Sequence, residues 1–343
     1  MCNRKNWSYF SQDIIIIGDF VKNNSLRPDF CKIIANFVHT IITKKQTTMI
    51  KRISLILALV MIALAGQAQL LWKVSGNGLG RPSYIFGTHH MAPASMIDQI
   101  SGMDVAIDGC DIVVGEVEKD SLMSPEVQAT MAQAMIAPLD STLDKLYTSD
   151  EYRIVEQVFN KYFGSMGVKL SQMKSLKPNA ISTQMQAMQA IKYFPNFDAN
   201  NLIDVKVQER ANEAGRPSVG LESVQEQIDL LFNEPLTVQA QGLLETCKQD
   251  EFFQVQSVAL CDAYMAQDLD KMLSIMTDAT MGGDSEEAMD ALIYNRNRNW
   301  VEKLKVMMPE RAALVCVGAG HLPGEQGLLQ LLRNAGYTVE PMK

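Results

Sequence analysis

What this 343-residue sequence lacks most plainly is positive charge: 31 Lys and Arg stand against 39 Asp and Glu, a formal net charge of −8. Without a basic excess there is no overall field to hold a phosphate backbone, and nucleic acid is not an expected partner. Six cysteines, Cys2, Cys31, Cys110, Cys247, Cys261 and Cys316, include no C-x-x-C pair. Neither a thiolate zinc site nor a dithiol redox centre therefore has a basis. No apolar run reaches the ~20 residues that span a bilayer, so no stable membrane span is expected. HExxH, Walker A, GxSxG and the dinucleotide fingerprint are all absent, which removes zincin, nucleotide-dependent and serine-hydrolase chemistry. Histidine occurs only four times, so imidazole chemistry has few places to reside.

What the chain does have is apolar content, 47%, enough for a substantial core. From Met49 it reads MIKRISLILALVMIALAGQAQ, in which Lys51 and Arg52 precede an apolar run, Ile53 to Ala65, and the small-residue site Gly66-Gln67-Ala68. That is the layout of a secretory signal peptide. The reading is of residues 1–48 as a gene-model extension, 49–68 as the signal peptide and 69–343 as one exported domain, periplasmic or extracellular. Residues 1–68 carry nine Lys and Arg against three Asp and Glu, so the remainder has a formal charge of −14. Export permits disulfides. Cys316 lies in an apolar strand-like run, which leaves Cys247 with Cys261 as the pairing to consider.

The fold class reads as α/β. Tyr84 to Phe86 is a short strand, and Ser95 with Asp98 forms a capping-box signature for a helix with Ile100, Met103 and Ile107 on one face. Asp111 to Glu116 is a second strand. The C-terminus repeats this plan, with a strand at Ala312 to Val317, a helix bearing Leu328, Leu331, Leu332 and Ala335 and ended by Gly336, and a strand at Tyr337 to Glu340. Two β-α-β units thus contribute to one sheet. Between them a helical insertion, about 119–308, is broken by the strand-like Ser218 to Leu221. Its apolar stripes, such as Leu230, Leu231 and Phe232, read as core, as do its several methionines.

Each unit carries Gly-x-x-His after its first strand, Gly87 to His90 and Gly318 to His321. In parallel β-α-β crossovers such loops lie at the strands' C-terminal edge, where open α/β sheets bind ligands. If the units share a sheet, His90, Glu116 and His321 meet at one rim. Two imidazoles and a carboxylate suit a catalytic divalent cation (Mn, Co or Zn) with positions open to water and substrate. Glu116 ends an apolar strand, where a carboxylate needs a cation or donors. His89 is one position out of the repeat and reads as a supporting or substrate-facing group, and Glu118 as solvated. The helical phase of Arg296 and Asn297 relative to Ile293 and Trp300 turns both inward, where the guanidinium requires an anion, either Glu222 or a substrate carboxylate.

These motifs together resemble the TraB/GumN family, which is related to the Tiki proteins. The resemblance rests on Leu71 to Gly76, Pro82 to His90, Gly115 to Glu118, Gly220 to Glu222, Arg296 and Asn297 with Trp300, and Val317 to Gly324, and covers essentially all of 69–343. It implies paired β-α-β units and a metal-dependent, peptidase-like site made by His90, Glu116 and His321. The wider group also resembles erythromycin esterases, which implies an alternative: a metal-free hydrolase with a histidine as general base and Glu116 as its orienter. A non-catalytic periplasmic protein that binds a metal or haem is a third reading. The leading expectation is a metallohydrolase acting on a peptide or small-molecule substrate, with catalytic residues Glu116, His90, His321 and Arg296.

The signal-peptide reading has a direct test. N-terminal sequencing of the native protein should return Gln69 as the first residue; a product retaining residues before Met49 would refute both the cleavage site and the assigned start.

Overall fold

Four short runs that end in glycine or threonine fold here into the parallel strands of one sheet. The computed structural model describes residues 69–194, 197–198, 201–278 and 285–342; the segments read above as an extension and a signal peptide lie outside the described residues. The strands are β1 (Leu71–Ser75), β2 (Ser83–Thr88), β3 (Ile112–Gly115), β4 (Ser218–Gly220), β5 (Ala313–Gly318) and β6 (Thr338–Pro341), in the spatial order β4-β3-β5-β2-β1-β6. Pairing is parallel at β4-β3, β3-β5 and β5-β2. Only β1 runs against its neighbours, β2 and β6. Every residue of β2 and β3, and all of β5 except its last, is buried, as expected for parallel strands covered on both faces.

Both expected β-α-β units are present and share this sheet, but they interleave. β5 enters between β2 and β3, so each of these pairs with it and not with the other. A fully buried serine ties the junction, since the Ala313 N–H donates to Ser83 Oγ at 3.0 Å. In the second unit the helix Leu328–Asn334 buries Leu328, Leu329 and Leu332, and Gly336 follows at φ +94°. That left-handed conformation is what a C-terminal helix stop requires.

The first crossover departs from the expected single helix. It consists of a 3-10 helix, Ala94–Gln99, and an α-helix, Met103–Gly109. Ser95 caps nothing, because the residue preceding the first turn is Pro93. Asp98 instead accepts from Arg210 Nη1 at 3.1 Å. The break falls at Gly102, whose φ of +82° suits glycine and where a Cβ would come within 2.7 Å of Met342 Cε.

The described residues of the insertion form helices between Lys119 and Glu310, with β4 as the strand among them. It has a second core of its own, built from residues such as Phe159, Leu170, Ile181 and Leu243. Beside that core, buried Asp250 accepts from Lys161 Nζ at 2.5 Å, Tyr162 OH at 2.6 Å and Gln189 Nε2 at 3.2 Å, so the buried charge is fully partnered. The stripe assigned to Leu230, Leu231 and Phe232 is corrected. Phe232 and Ile228 are buried, whereas Leu231 is 40% exposed, because consecutive helical residues diverge by about 100°. The Cys247–Cys261 pairing is also corrected. Both thiols are free and buried, and they pack into different apolar clusters. No helix among the described residues is long and apolar enough to cross a membrane.

Leu314, fully buried in β5, contacts the core between two parallel neighbours. Leu314→Ala should lower the unfolding free energy by about 2–5 kcal/mol, read as a lower urea midpoint at unchanged slope.

Candidate functional site

Parallel strands that stop together bring their following residues to a common edge. Thr88 of β2 is opposite Gly318 of β5, and Gly115 of β3 is opposite Cys316, so the two Gly-x-x-His loops and Glu116 share the C-terminal rim, as the sequence reading required. The glycines are needed for close approach. A Cβ on Gly87 would lie 3.0 Å from that of Ala319, and one on Gly318 would lie 3.4 Å from Glu116 Oε1. The Gly318 N–H donates to that same Oε1 at 2.8 Å, tying β3 to β5 through a carboxylate.

At the centre lies Arg296. A π-helical turn, Asp290–Tyr294, immediately precedes the helix Asn295–Glu310 that carries it; such turns often mark functional sites. Its Nε and Nη2 donate to the two oxygens of Glu222 at 2.8 and 2.9 Å, and Nη2 also donates to Glu116 Oε2 at 2.6 Å. The guanidinium lies 4.7 Å from the centre of the Trp300 ring, and Trp300 Nε1 donates to Glu222 Oε1 at 2.9 Å. Of the two anions anticipated for Arg296, the structure supplies Glu222. Burial disfavours the charged guanidinium, but the bonds and charges of Glu222 and Glu116 outweigh it and raise its pKa.

His321 is only 3% exposed, and its proton can be placed by elimination. Asn297 Nδ2 donates to the carbonyls of His321 and Gln326 at 3.1 and 2.9 Å, which turns Asn297 Oδ1 toward His321 Nδ1 at 2.7 Å. An amide oxygen only accepts, so Nδ1 carries the hydrogen. Arg296 Nη1 lies 3.1 Å from His321 Nε2, and a guanidinium only donates, so Nε2 presents its lone pair. Burial lowers the His321 pKa to about 4, against an opposing pull from Glu116. For Glu116, burial pushes the pKa up, but His321, Arg296 and the Gly318 N–H more than compensate and hold it below the usual carboxylate range.

His90 stands apart from this knot. Its side chain is 70% exposed, with Nδ1 3.4 Å from Asp204 Oδ1. The bond to Asp204 raises its pKa, and the charges of Asp204 and Glu116 act in the same direction. The two loop histidines are thus pushed in opposite directions. His89 turns away, its ring 5.2 Å from that of Tyr264 and its Nδ1 accepting from the Met91 N–H at 3.2 Å. It supports the loop, and Tyr264 OH donates to the Gly87 carbonyl at 3.0 Å. Glu118 faces the helix that follows it, accepting from Ser121 Oγ at 2.7 Å.

A cavity of about 150 Å³ opens at the rim, lined by Thr88, His90, Glu116, Asp204, Gln227 and Cys316 among others. Asp204 and Gln227, whose Nε2 lies 3.3 Å from Glu116 Oε2, went unnoticed in the sequence. An acid in the first turn of a helix, as Asp204 is in Ile203–Glu213, reads as ordinary dipole complementarity, and nothing marks Gln227. In type, the donors suit a divalent cation: a neutral imidazole with its Nε2 lone pair free of hydrogen, braced at Nδ1, and an ionised carboxylate. Among the described residues, however, no three His, Cys, Asp or Glu side chains close on one point, and the cation against Glu116 and His321 is Arg296.

The match to the model of the TraB/PrgY/gumN family runs over residues 70–341, which includes both loops, Glu116, Glu222 and Arg296. The chain belongs to this family. It is 24% identical over 275 residues to the uncharacterized protein YbaP of Shigella flexneri, covering 74% of this chain and 88% of that one. To YbaP of Escherichia coli K12 it is 28% identical over 186 residues, 48% of this chain and 62% of the relative. No solved structure matches it.

Buried His321 makes a signed prediction about this family member's stability. An unfolded histidine titrates near 6.5 and this one near 4, so between those values only the unfolded chain takes up the proton. Stability should be unaffected by His321 above pH 6.5 and should fall as pH drops from 6.5 to 4, by roughly 3 kcal/mol. Urea unfolding across that range should show the decline, and His321→Gln should flatten it.

Proposed function

We propose that the protein is an exported hydrolase of peptide-like substrates that works at this rim. The observation that carries the reading is the convergence of two Gly-x-x-His loops, more than two hundred positions apart in sequence, on the strand ends beside an ionised glutamate. Carbonyl hydrolysis needs an activated water, a group to stabilise the developing oxyanion and a proton for the leaving group. Glu116, whose pKa is held low, would take a proton from water. Arg296, fixed by Glu222 and bonded through Nη2 to Glu116, would supply the positive charge that a developing oxyanion needs. Asn297 holds the hydrogen on His321 Nδ1 and so leaves the Nε2 lone pair toward Arg296 Nη1.

Under the metal-dependent form of this reading, His90, Glu116 and His321 would hold a divalent cation, Mn, Co or Zn, which would polarise the carbonyl and acidify water. Arg296 Nη1 would then give up His321 Nε2 while its paired bonds to Glu222 keep it in place. The contact between His90 and Asp204 favours a second, metal-free reading. There His90, charged beside Asp204, gives its proton to the leaving group as Glu116 accepts one from water, a division of labour that follows from pKa values driven apart.

His90→Ala, Glu116→Gln and His321→Ala should each reduce turnover of a peptide library by several orders of magnitude while the protein stays folded. The triple variant should be little worse than any single one, since groups acting as a unit are not additive. If all three single variants keep wild-type activity, the site is misplaced. Exhaustive chelation of the wild type separates the two forms: loss of activity restored by Mn, Co or Zn supports the metal-dependent one, and full retention supports the His90–Asp204 one.

A further inference from the structure

β4 is an edge of the sheet, pairing only with β3 among the described residues. The Val113 N–H donates to the Pro217 carbonyl and the Leu221 N–H to that of Gly115. In a parallel ladder this alternation turns Pro217, Val219 and Leu221 toward β3 and directs the N–H and C=O of Ser218 and Gly220 away from it. Those outward groups have no backbone partner among the described residues, and Gly220 is exposed. A free strand edge of this kind pairs with one chemistry in particular, another extended backbone.

Gly220 also forms part of the wall of a second cavity, about 510 Å³ in volume. Its apolar wall is Val117, Val127, Leu221 and Val224, which suits side chains projecting from an added strand, and Lys303 lies at its margin. This cavity adjoins the candidate site at two residues. Val117 lines both cavities, and Glu222, in its wall, is the residue that grips Arg296. The element between the cavities is the five-residue helix Lys119–Met123. Lys119 and Leu122 face the first cavity, Ser121 faces the second, and none of its residues is buried. A chain laid along β4 would therefore continue past Glu222 toward Glu116 and Arg296.

We infer that β4 is a docking strand: an extended polypeptide adds beside Ser218 and Gly220 by backbone pairing, with alternate side chains over Val127 and Val224, and is thereby threaded to the rim. This rests on the hydrolase reading for what happens to the chain after it docks. Docking itself depends only on the edge and the cavity, so it can be measured without turnover.

The test is equilibrium binding of a fluorescein-labelled peptide of alternating Val and Thr, about eight residues long to span strand and cavity, followed by anisotropy with the full-length protein. The control is the same peptide N-methylated at alternate residues, which keeps its side chains and removes the donors on one edge. The unmodified peptide should bind, and N-methylation on the pairing edge should weaken it about tenfold or more, the loss of one or two net hydrogen bonds. Val127→Arg and Val224→Arg should each weaken it comparably at unchanged melting temperature; two variants guard against one that misfolds. Equal binding of both peptides, no binding of either, or no effect of the two folded variants would overturn the inference. Peptide bound at β4 but never cut would uphold docking and sink hydrolysis. Peptides cut at undiminished rate by folded Val127→Arg and Val224→Arg would uphold hydrolysis and sink docking.

Discussion

The rim depends on one shared charge. Arg296 is the cation that Glu222 and Glu116 share under partial burial, with side-chain exposures of 14% for the arginine, 9% for Glu222 and 22% for Glu116. Either carboxylate alone would be costly there, and removal of the arginine would leave two uncompensated charges, a loss of about 3–5 kcal/mol for a broken buried pair. The same guanidinium dictates which nitrogen of His321 is bare. Because Trp300 covers its face and donates to Glu222, the fork is held by aromatic contact as well as by charge. One arginine, one carboxylate on each side and a neutral imidazole leave the knot with a net charge of −1. A negative residue of charge at a strand-end rim favours whatever positive group enters next, a cation or the protonated His90.

The parts of this arrangement that follow from local chemistry were legible in the sequence. Apolar runs of strand length bounded by glycine located β2, β3 and β5, and the repeated Gly-x-x-His identified both loops. The inward phase of Arg296 and Asn297 emerged from counting back from Trp300, and Asn297 is indeed fully buried. What stayed hidden depends on distant partners. No periodicity reveals that β5 separates β2 from β3, or that Leu71–Ser75 is an antiparallel strand, since strand order is decided by which edges remain free after the rest has packed. Asp204 was invisible because its role is fixed by the approach of a loop more than a hundred residues away. The Ser95–Asp98 signature misled because Pro93 and Gly102 force a tighter turn than the cap presumes.

The helical insertion does more than cover the sheet. It supplies Glu222, Arg296 and Asp204, so three of the charged groups at the rim belong to the region that resembles padding when only strands are counted. Its separate core and the partnered Asp250 give it rigidity that does not draw on the sheet. Its first helix, Lys119–Met123, contributes no buried residue.

The insertion of β5 between β2 and β3 also has a meaning in time. The Ala313 N–H meets Ser83 Oγ across 230 positions, so a chain emerging from its N-terminus holds two hydrophobic strands that cannot pair until nearly the whole polypeptide is available. Contacts of such sequence separation form slowly, and they leave strand edges open meanwhile. The Gly318 N–H that anchors Glu116 arrives on β5 itself, and His321 three residues after it. An incomplete chain therefore has neither a closed sheet nor an assembled rim, and assembly of the rim waits until synthesis is nearly complete.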